Sequence, residues 1–453
     1  MSGDPIRLAL AALALVLWLA VTLAVVWGEA RKRRDTARRA AERANRAADA
    51  TLVAYASQTG FAEELAEMTA RALTEAGQAA TTVSFAELDL DLLRTCRRAL
   101  FVVSTTGEGD APDSAARAVR TLLGAPADLD RLSFGLLSLG DRSYRDYCGF
   151  GRAVDHWLRQ SGALPLFDAV EVDDADPAAI RHWQHQLNQL TGTQVAPDWT
   201  PAAYGRWRMV ERRLLNPGSP GGETWHVALA PLDGRLEWSA GDIAEVGVTT
   251  ETGDTVSREY SIASLPSDGR LELVVRLMTG PDGTPGLGSG RLTRSLVIGD
   301  EAPLRIRRNR NFHGPDGATP LILIGAGTGI AGLRGHLRAR APGDGGAWLM
   351  FGERTAAHDA YFDDELQAAL ASGALSRLDR AFSRDAGDGS YVQALIDRHA
   401  DEVRAWVERG AAVYVCGALE GMAPGVHAAL ERALGADGLI ALSDAGRYRR
   451  DVY

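Results

Sequence analysis

Three short apolar runs in the first half of the chain each break into a loop rich in glycine, hydroxyl and acidic side chains. They are TLVAYA (Thr51 to Ala56), ALFVVS (Ala99 to Ser104) and FGLLSLGD (Phe134 to Asp141). Runs of this length, bounded by turn residues, are typical of buried parallel strands, and the first is followed by apolar residues at helical spacing. Strands that alternate with helices predict an open parallel sheet, in which ligands bind beyond the carboxyl ends of the strands.

The loops after these strands carry the groups that a flat, phosphorylated ligand needs. After the first strand, the turn from Ser57 to Gly60 precedes a helix, where backbone N–H groups, the helix dipole and the hydroxyls of Ser57 and Thr59 would favour a phosphate. The second loop, TTGEGDAPDSA, has glycines for close backbone approach, and the third contains Tyr144 and Tyr147 as stacking candidates. Each loop alone could be a solvated turn. Because all three would converge at one sheet edge, together they predict a flavin site.

The stretch up to about Pro303 contains short alternating strands such as RLELVVRLM and turns with glycine and proline, which predicts an antiparallel barrel. Within it, REYSIAS places Arg258 and Tyr260 on one strand face, an arrangement that suits a flavin with a pyrophosphate. Downstream, GLGSGRL (Gly286 to Leu292) opens a predicted helix whose free N–H groups could hold that pyrophosphate. A surface strand followed by an ordinary loop explains the same residues equally well. These residues alone therefore do not decide between a FAD site and ordinary surface structure.

The segment LILIGAGTGIAGLRGHL runs from an apolar strand through a glycine turn into a helix, which is the setting of a dinucleotide pyrophosphate. The next strand ends in Glu353 and Arg354. An acid suits a ribose hydroxyl and an arginine suits a 2′-phosphate, so this pair is ambiguous. Ser383, Arg384 and Tyr391 follow a third strand and together suit a phosphorylated adenosine, so NADPH is favoured over NADH.

The N-terminal segment from Leu8 to Trp27 is uncharged and about long enough to cross a bilayer, and an arginine-rich stretch follows it directly. These features predict a single span that leaves the rest of the chain in the cytoplasm. A secretory signal peptide would instead have its basic residues before a shorter apolar core. The net charge of −10 argues against a nucleic-acid partner. Three scattered cysteines without a CxxC pair predict neither a disulfide framework nor a cysteine-ligated metal site.

The motifs of both halves resemble those of the diflavin reductases. The loops SQTGFAEELA, STTGEGDAPDSA and SLGDRSYRDYCGFG are similar to the three FMN loops of that family, the third especially to that of the sulfite reductase flavoprotein. REYSIAS, GAGTGIAG, FGER, SRD, YVCG and RRDVY then follow in the order of the ferredoxin-NADP reductase half. The resemblance covers nearly the whole chain after Ala50 and implies FMN, FAD and NADPH. The chain has too few residues before REYSIAS for the helical connecting domain of those families.

The resemblance implies a set of residues for each cofactor. FMN would contact Ser57, Gln58, Thr59, Gly60, Phe61, Ala62, Thr105, Thr106, Gly107, Gly140, Tyr144, Tyr147 and Cys148. FAD would contact Arg258, Tyr260, Ser261, Gly288, Ser289, Gly290 and Tyr453, whose ring would be a lid on the flavin. NADPH would contact Gly327, Thr328, Arg354, Ser383, Arg384 and Tyr391. The catalytic residues would be Ser261 near the flavin N5, Cys416 against the nicotinamide and Asp451 as a stabiliser of the nicotinamide cation.

Four positions depart from the family pattern. Thr106 stands where P450 reductases have a tyrosine, and Gly332 where a proline is usual. Gly389 stands where many relatives have a lysine near the 2′-phosphate, and Ala418 replaces an acid after YVCG. These last two leave the strength of the NADPH preference open.

The predicted fold class is α/β plus β-barrel: an N-terminal transmembrane helix, a flavodoxin-like domain and a ferredoxin-NADP reductase-like module. The predicted domains are an anchor (1–28), a basic stalk (29–50), the FMN domain (51–192), the FAD-binding barrel (193–312) and the NADP-binding domain (313–453). The predicted function is that of an oxidoreductase tethered to the inner membrane, which passes electrons from NADPH through FAD and FMN to a haem protein or other one-electron acceptor. The alternatives are a ferric or ferric-siderophore reductase, and an FMN-only carrier or scaffold with a non-functional reductase half.

Overall fold

The computed structural model describes residues 50–192, 203–250, 253, 255–385 and 390–453. These residues form three sheets that follow one another along the chain. The first and third sheets are parallel and the second is antiparallel, so the alternation of strands and helices correctly predicted both parallel sheets.

The first sheet is parallel and is covered by helices. Its strands are β1 (Thr51–Ala56), β2 (Ala80–Ser84), β3 (Arg98–Ser104), β4 (Ser133–Gly140), β5 (Leu164–Pro165) and β6 (Val170–Asp173). Its helices are α1 (Phe61–Glu75), α2 (Leu90–Thr95), α3 (Ala116–Thr121), α4 (Gly149–Gln160) and α5 (Pro177–Thr191). The strand order is β2-β1-β3-β4-β5, and β6 also pairs with β4, which is the order of a flavodoxin-like sheet. The central strands are apolar on both faces because separate hydrophobic clusters cover each face.

The second sheet is antiparallel and encloses its own core. Its strands are β7 (Gly205–Leu214), β8 (Thr224–Pro231), β9 (Ile243–Thr249), β10 (Thr255–Ser261), β11 (Leu271–Arg276) and β12 (Glu301–Arg307). Their order is β10-β9-β12-β7-β8-β11. The two outer strands of this order, β10 and β11, contact each other, so the sheet curls towards a barrel around its apolar cluster. The short helix α6 (Leu287–Gly290) follows β11.

The third sheet is again parallel. Its strands are β13 (Leu321–Ala326), β14 (Ala347–Glu353), β15 (Arg377–Phe382), β16 (Ala412–Gly417) and β17 (Tyr448–Val452). Its helices are α7 (Ile330–Arg338), α8 (Ala356–Asp359), α9 (Asp363–Ser372), α10 (Val392–Arg398), α11 (Ala400–Glu408), α12 (Met422–Leu434) and α13 (Ala436–Asp444). The order β15-β14-β13-β16-β17 reverses direction between β13 and β16. Ligands of doubly wound sheets bind at such a switch point.

No helix within the described residues is long and apolar enough to cross a membrane. The longest of them, α1 and α5, have 15 residues each. At about 1.5 Å per residue such a helix falls short of a bilayer core of about 30 Å. This finding corrects the predicted fold class, whose flavodoxin-like and reductase modules are supported but whose transmembrane helix is not. It corrects the predicted inner-membrane location in the same way. The predicted span, Leu8 to Trp27, and the predicted stalk lie outside the described residues.

Candidate functional site

The three predicted loops meet at the carboxyl edge of the first sheet, around a cavity of about 210 Å³. Most of the residues predicted to hold FMN line this cavity: Ser57, Thr59, Phe61, Ala62, Thr105, Gly107, Gly140, Tyr144, Tyr147 and Cys148. The convergence follows from the strand order, because β1, β3 and β4 are neighbours and all end at the same edge.

The other three residues predicted to hold FMN make different contacts. A β-carbon at Gly60 would lie 2.1 Å from the carbonyl oxygen of Arg308, so this glycine permits close approach of the barrel. The amide of Gln58 donates to Asp113 and to the carbonyl of Arg450. The hydroxyl of Thr106 donates to carbonyls within its own loop. Gly60 and Gln58 therefore contact the reductase half.

The local backbone explains how the cavity is shaped. Gly60 has φ 92°, which ends the loop after β1 and starts α1, and its N–H donates to the hydroxyl of Ser57 at 2.9 Å. Three residues other than glycine also adopt a positive φ beside the cavity: Cys148 at 55°, Asp174 at 40° and Ala175 at 60°. Backbone strain of this kind collects at ligand sites. Asp174 and Ala175 were missed from the sequence because nothing in their residue types signals that conformation.

The polar groups around the cavity fit a phosphorylated flavin. The hydroxyl of Thr105 is buried and has no hydrogen-bond partner among the described residues. The guanidinium of Arg307, from β12, donates to the hydroxyl of Thr59 at 3.2 Å, which places a cation beside the predicted phosphate loop. Arg142 and Arg152 lie 5.2 Å and 5.8 Å from the ring centre of Tyr147. The ring of Tyr144 is exposed and is the better placed of the two tyrosines for stacking.

The barrel brings together the residues predicted to hold FAD. A β-carbon at Gly288 would lie 2.6 Å from the hydroxyl of Tyr260 and 2.8 Å from a side-chain carbon of Arg258, so only glycine allows α6 to pack on this strand face. The hydroxyl of Ser289 accepts a hydrogen bond from the N–H of Met278 at 3.1 Å. Burial raises the pKa of Tyr260 to about 12, so its phenol is neutral and can donate a hydrogen bond.

The three residues predicted to be catalytic converge where the barrel meets the third sheet. The hydroxyl of Ser261, at the end of β10, donates to Asp451 Oδ2 at 2.6 Å, and the thiol of Cys416 lies 3.7 Å from the same oxygen. Cys416 and Asp451 face each other across the β16–β17 pair. A β-carbon at Gly332 would lie 3.2 Å from the sulfur of Cys416, so a glycine here leaves room around the thiol.

Burial dominates the electrostatics of this cluster. Only 4% of Asp451 is exposed. Burial raises its pKa, against the opposing hydrogen bonds from Ser261 and Cys416. Burial, and then the charge of Asp451, hold the pKa of the Cys416 thiol well above its usual value. Cys416 is therefore a neutral thiol at physiological pH and suited to packing rather than to nucleophilic chemistry.

The chain end closes over the dinucleotide loop of the third sheet. The hydroxyl of Tyr453 donates to Thr328 at 3.1 Å, and its backbone N–H donates to the carbonyl of Gly417 at 3.1 Å. Tyr453 is nevertheless 55% exposed. A β-carbon at Gly329 would lie 2.0 Å from the carbonyl oxygen of Cys416, so this glycine lets the loop reach the switch point. The C-terminal aromatic residue is thus ordered by the fold beside the predicted nicotinamide position.

The ambiguous pair at the end of β14 has two different environments. The carboxylate of Glu353 is 3% exposed, pairs with Arg276 and accepts from the hydroxyl of Tyr361 at 3.2 Å. It is already satisfied by protein groups and is a poor candidate for a ribose hydroxyl. Arg354 instead lies against Gly221, where a β-carbon would be 2.8 Å from its side chain.

The other residues predicted to bind NADPH follow β15. The N–H and the hydroxyl of Ser383 both donate to the carbonyl of Glu353, at 2.8 Å and 3.3 Å. Ser383 and Arg384 therefore lie beside the end of β14, while Tyr391 is exposed at the start of α10. Gly389 lies outside the described residues. The sequence did not predict that Arg276, from the barrel, pairs with Glu353 at this site. No local pattern links β11 to a loop of the third sheet.

Two protein families match separate parts of the chain. A family described as flavodoxin matches residues 53–183, and one described as oxidoreductase NAD-binding domain matches residues 323–428. These ranges fall on the first and third sheets.

The curated relatives cover most of the chain. The sulfite reductase [NADPH] flavoprotein alpha-component of Bacillus subtilis is 28% identical, over 88% of this chain and 89% of that protein. The protein of the same name from Aliivibrio fischeri is 28% identical over 88% of this chain and 89% of its own length. A third, from Vibrio cholerae, is 28% identical over 91% of this chain and 89% of its own length. With the two matched families in this order, these relatives confirm the resemblance of the chain to the diflavin reductases.

Proposed function

We propose that this flavoprotein passes electrons from NADPH, through FAD and then FMN, to a separate haem protein or other one-electron acceptor. The matched families and the NADPH flavoproteins among the relatives confirm the coarser predictions, namely an NADPH-dependent flavoprotein reductase that uses FMN, FAD and NADPH. The acceptor and the roles of individual residues belong to the proposal.

The convergence of Ser261, Cys416 and Asp451 at the switch point of the third sheet carries the proposal. When bound, the flavins and the nicotinamide supply the hydride and single-electron chemistry. The buried carboxylate of Asp451 would stabilise positive charge that develops beside it, because few water molecules screen it there. Ser261 would hold that carboxylate in place, and the neutral thiol of Cys416 would pack against the reacting ring.

The same cluster favours a working reductase half over an FMN-only carrier. A chain that had lost NADPH oxidation would gain nothing from a buried carboxylate such as Asp451, whose desolvation is costly. Here that carboxylate is present together with its hydrogen-bond donor Ser261. Gly329 is also present, at a position of the switch point where a β-carbon would overlap the carbonyl of Cys416.

The surface around the FMN cavity supports a protein acceptor. Glu108, Asp110 and Asp146 are exposed beside the cavity, and Tyr144 is exposed at its mouth. The exposed Arg152 shares this rim and pairs with Asp146. Glu108 and Asp110 are therefore the acids that would suit a basic docking face on the partner, with fast and salt-sensitive association. The relatives are named as one component of an NADPH-dependent reductase, which favours a separate protein as acceptor.

The acceptor assay tests this proposal. We expect the purified protein to reduce cytochrome c and a haem partner with NADPH, and to do so faster than ferric chelates. Tyr144→Ala combined with Glu108→Gln should slow reduction of the protein acceptor while NADPH-driven ferricyanide reduction stays intact. Arg432→Met removes an exposed ion pair with Asp397, far from both flavin sites, and serves as the control. Faster reduction of ferric chelates, with no effect of the double variant, would contradict the proposed acceptor.

A further inference from the structure

The last strand of the chain contacts both predicted flavin sites. Consecutive strand residues point to opposite sides, so Arg450 and Asp451 face different modules. Asp451 is directed to Ser261 of the barrel, at 2.6 Å. The guanidinium of Arg450 instead pairs with Asp113, in the loop that follows β3 of the first sheet, with Nε 2.9 Å from Oδ2. A stretch of two residues thus joins the predicted hydride site to a predicted FMN loop.

A third side chain makes the Arg450–Asp113 pair part of a small network. The amide nitrogen of Gln58 donates to the carboxylate of Asp113 at 3.2 Å and to the carbonyl of Arg450 at 3.1 Å. Its oxygen accepts from the N–H of Asp113 at 2.9 Å. Both charged side chains are only 27% exposed, so solvent screens their attraction weakly. Burial alone would lower the pKa of Arg450, but the hydrogen bond and charge of Asp113 raise it, which keeps the guanidinium charged.

The same loop also approaches a residue that is bonded to the chain end. The N–H of Leu419 donates to the carbonyl of Tyr453 at 2.9 Å. Leu419 also lies near Gly107: a β-carbon added at this glycine would be 3.7 Å from a methyl group of Leu419. The loop that supplies Thr105 and Gly107 to the FMN cavity is therefore held at Asp113 by charge, and at Gly107 it lies near Leu419.

Among the described residues, the other ion pairs between the modules do not involve this loop. Arg305 pairs with Glu64, and Arg310 pairs with Glu63 and with Glu67, all on α1. Arg120, on α3, pairs with Asp444 at the end of α13. These pairs dock the first sheet onto the remainder of the chain, whereas the pair of Asp113 connects the FMN loop to β17.

We infer that Arg450 is a positioning residue for electron transfer between the two flavin sites: through Asp113 it holds the loop from Thr105 to Asp113 against the C-terminal strand. The inference rests on the proposed function. It assigns to β17 a role in orienting the first sheet relative to the barrel.

The test compares Asp113→Asn and Arg450→Met with Arg120→Met, which removes an ion pair between modules that is not attached to the loop. In anaerobic stopped-flow experiments with NADPH, we expect the first two variants to reduce FAD at the normal rate and to slow the following reduction of FMN about tenfold or more. Arg120→Met should change neither rate. The charge swap that combines Asp113→Arg with Arg450→Asp should restore most of the FMN reduction rate.

Hydrogen exchange measured on the oxidised protein, before any NADPH is added, separates positioning from electron transfer itself. Hydrogen exchange should become faster in the loop from Thr105 to Asp113 in Asp113→Asn, and should be unchanged there in Arg120→Met. The inference is overturned if neither single variant slows FMN reduction, or if Arg120→Met slows it equally. A wild-type protein whose FAD is not reduced by NADPH would instead refute the proposed function, a result distinct from either of these.

Discussion

The hydrogen bond between Ser261 and Asp451 offers the sharpest prediction. The Oγ–Oδ2 distance is 2.6 Å and Asp451 is almost completely buried. A hydrogen bond to a charged group of this kind contributes about 1.5–3 kcal/mol. Ser261→Ala should therefore slow hydride transfer from NADPH by about 10- to 150-fold if the bond is needed at full strength in the transition state.

The pH dependence adds a second signature to the same variant. The hydrogen bond from Ser261 opposes the effect of burial on Asp451, so its loss raises the pKa of that carboxylate further. In the proposed role of Asp451 the carboxylate is the active form, so the rate of hydride transfer should fall with decreasing pH through that pKa. In Ser261→Ala this fall should occur at higher pH than in the wild type, whereas in Asp451→Asn it should be absent.

The assay is anaerobic stopped-flow reduction of the FAD absorbance by NADPH over a pH series. Ser264→Ala is the matched control, because its hydroxyl lies in the same barrel but donates to the carbonyl of Arg270 and accepts from the N–H of Glu272. If Ser261→Ala kept the wild-type rate at every pH, the carboxylate would not depend on this hydrogen bond and the assignment of both residues would be refuted.

Three further predictions concern other parts of the structure. Gly329→Ala should destabilise the protein by about 1–3 kcal/mol in thermal unfolding and abolish NADPH oxidation, because the added β-carbon would overlap the carbonyl of Cys416. The control, Gly438→Ala, changes a helix position with free space around it and should be neutral or stabilising. Burial and the charge of a neighbouring histidine lower the pKa of His336 from 6.5 to about 3, so the unfolded chain binds its proton first as the pH falls. The free energy of unfolding should thus decrease by up to about 1.4 kcal/mol per pH unit between these values, and His336→Phe should remove that slope in pH-dependent melts. Arg384→Ala should raise KM for NADPH about 10- to 150-fold and leave KM for NADH unchanged, and equal effects on both would contradict a 2′-phosphate contact.

Local sequence patterns predicted the parts of each site that belong to a single sheet. The loop from Ser57 to Gly60 follows a buried strand and precedes a helix, and the strand order then brings it to the loop of Tyr144. The glycines after β13 were predicted for the same reason, since strand, tight turn and helix are adjacent in sequence. The roles of these residues, like the domain boundaries, stay predictions.

Contacts between modules were not predictable in the same way. Gln58 was predicted to hold FMN from its place in the loop, and that stays a prediction; the bonds of its side chain to Asp113 and Arg450 depend on how the modules dock. Arg276 pairs with Glu353, which makes this carboxylate a poor candidate for a ribose hydroxyl. The pair forms because β11 of the barrel lies beside the third sheet. The partners in both contacts are far apart in sequence, so the spacing of nearby residues does not predict either contact. Both are seen only in the folded chain.

The central claim is that two flavins lie in series in one chain, with NADPH reducing the first. Flavin extraction and anaerobic titration with NADPH test it most directly. We expect equal amounts of FMN and FAD, and reduction of FMN that follows reduction of FAD. A colourless protein, a single type of flavin, or flavins that NADPH does not reduce would contradict it.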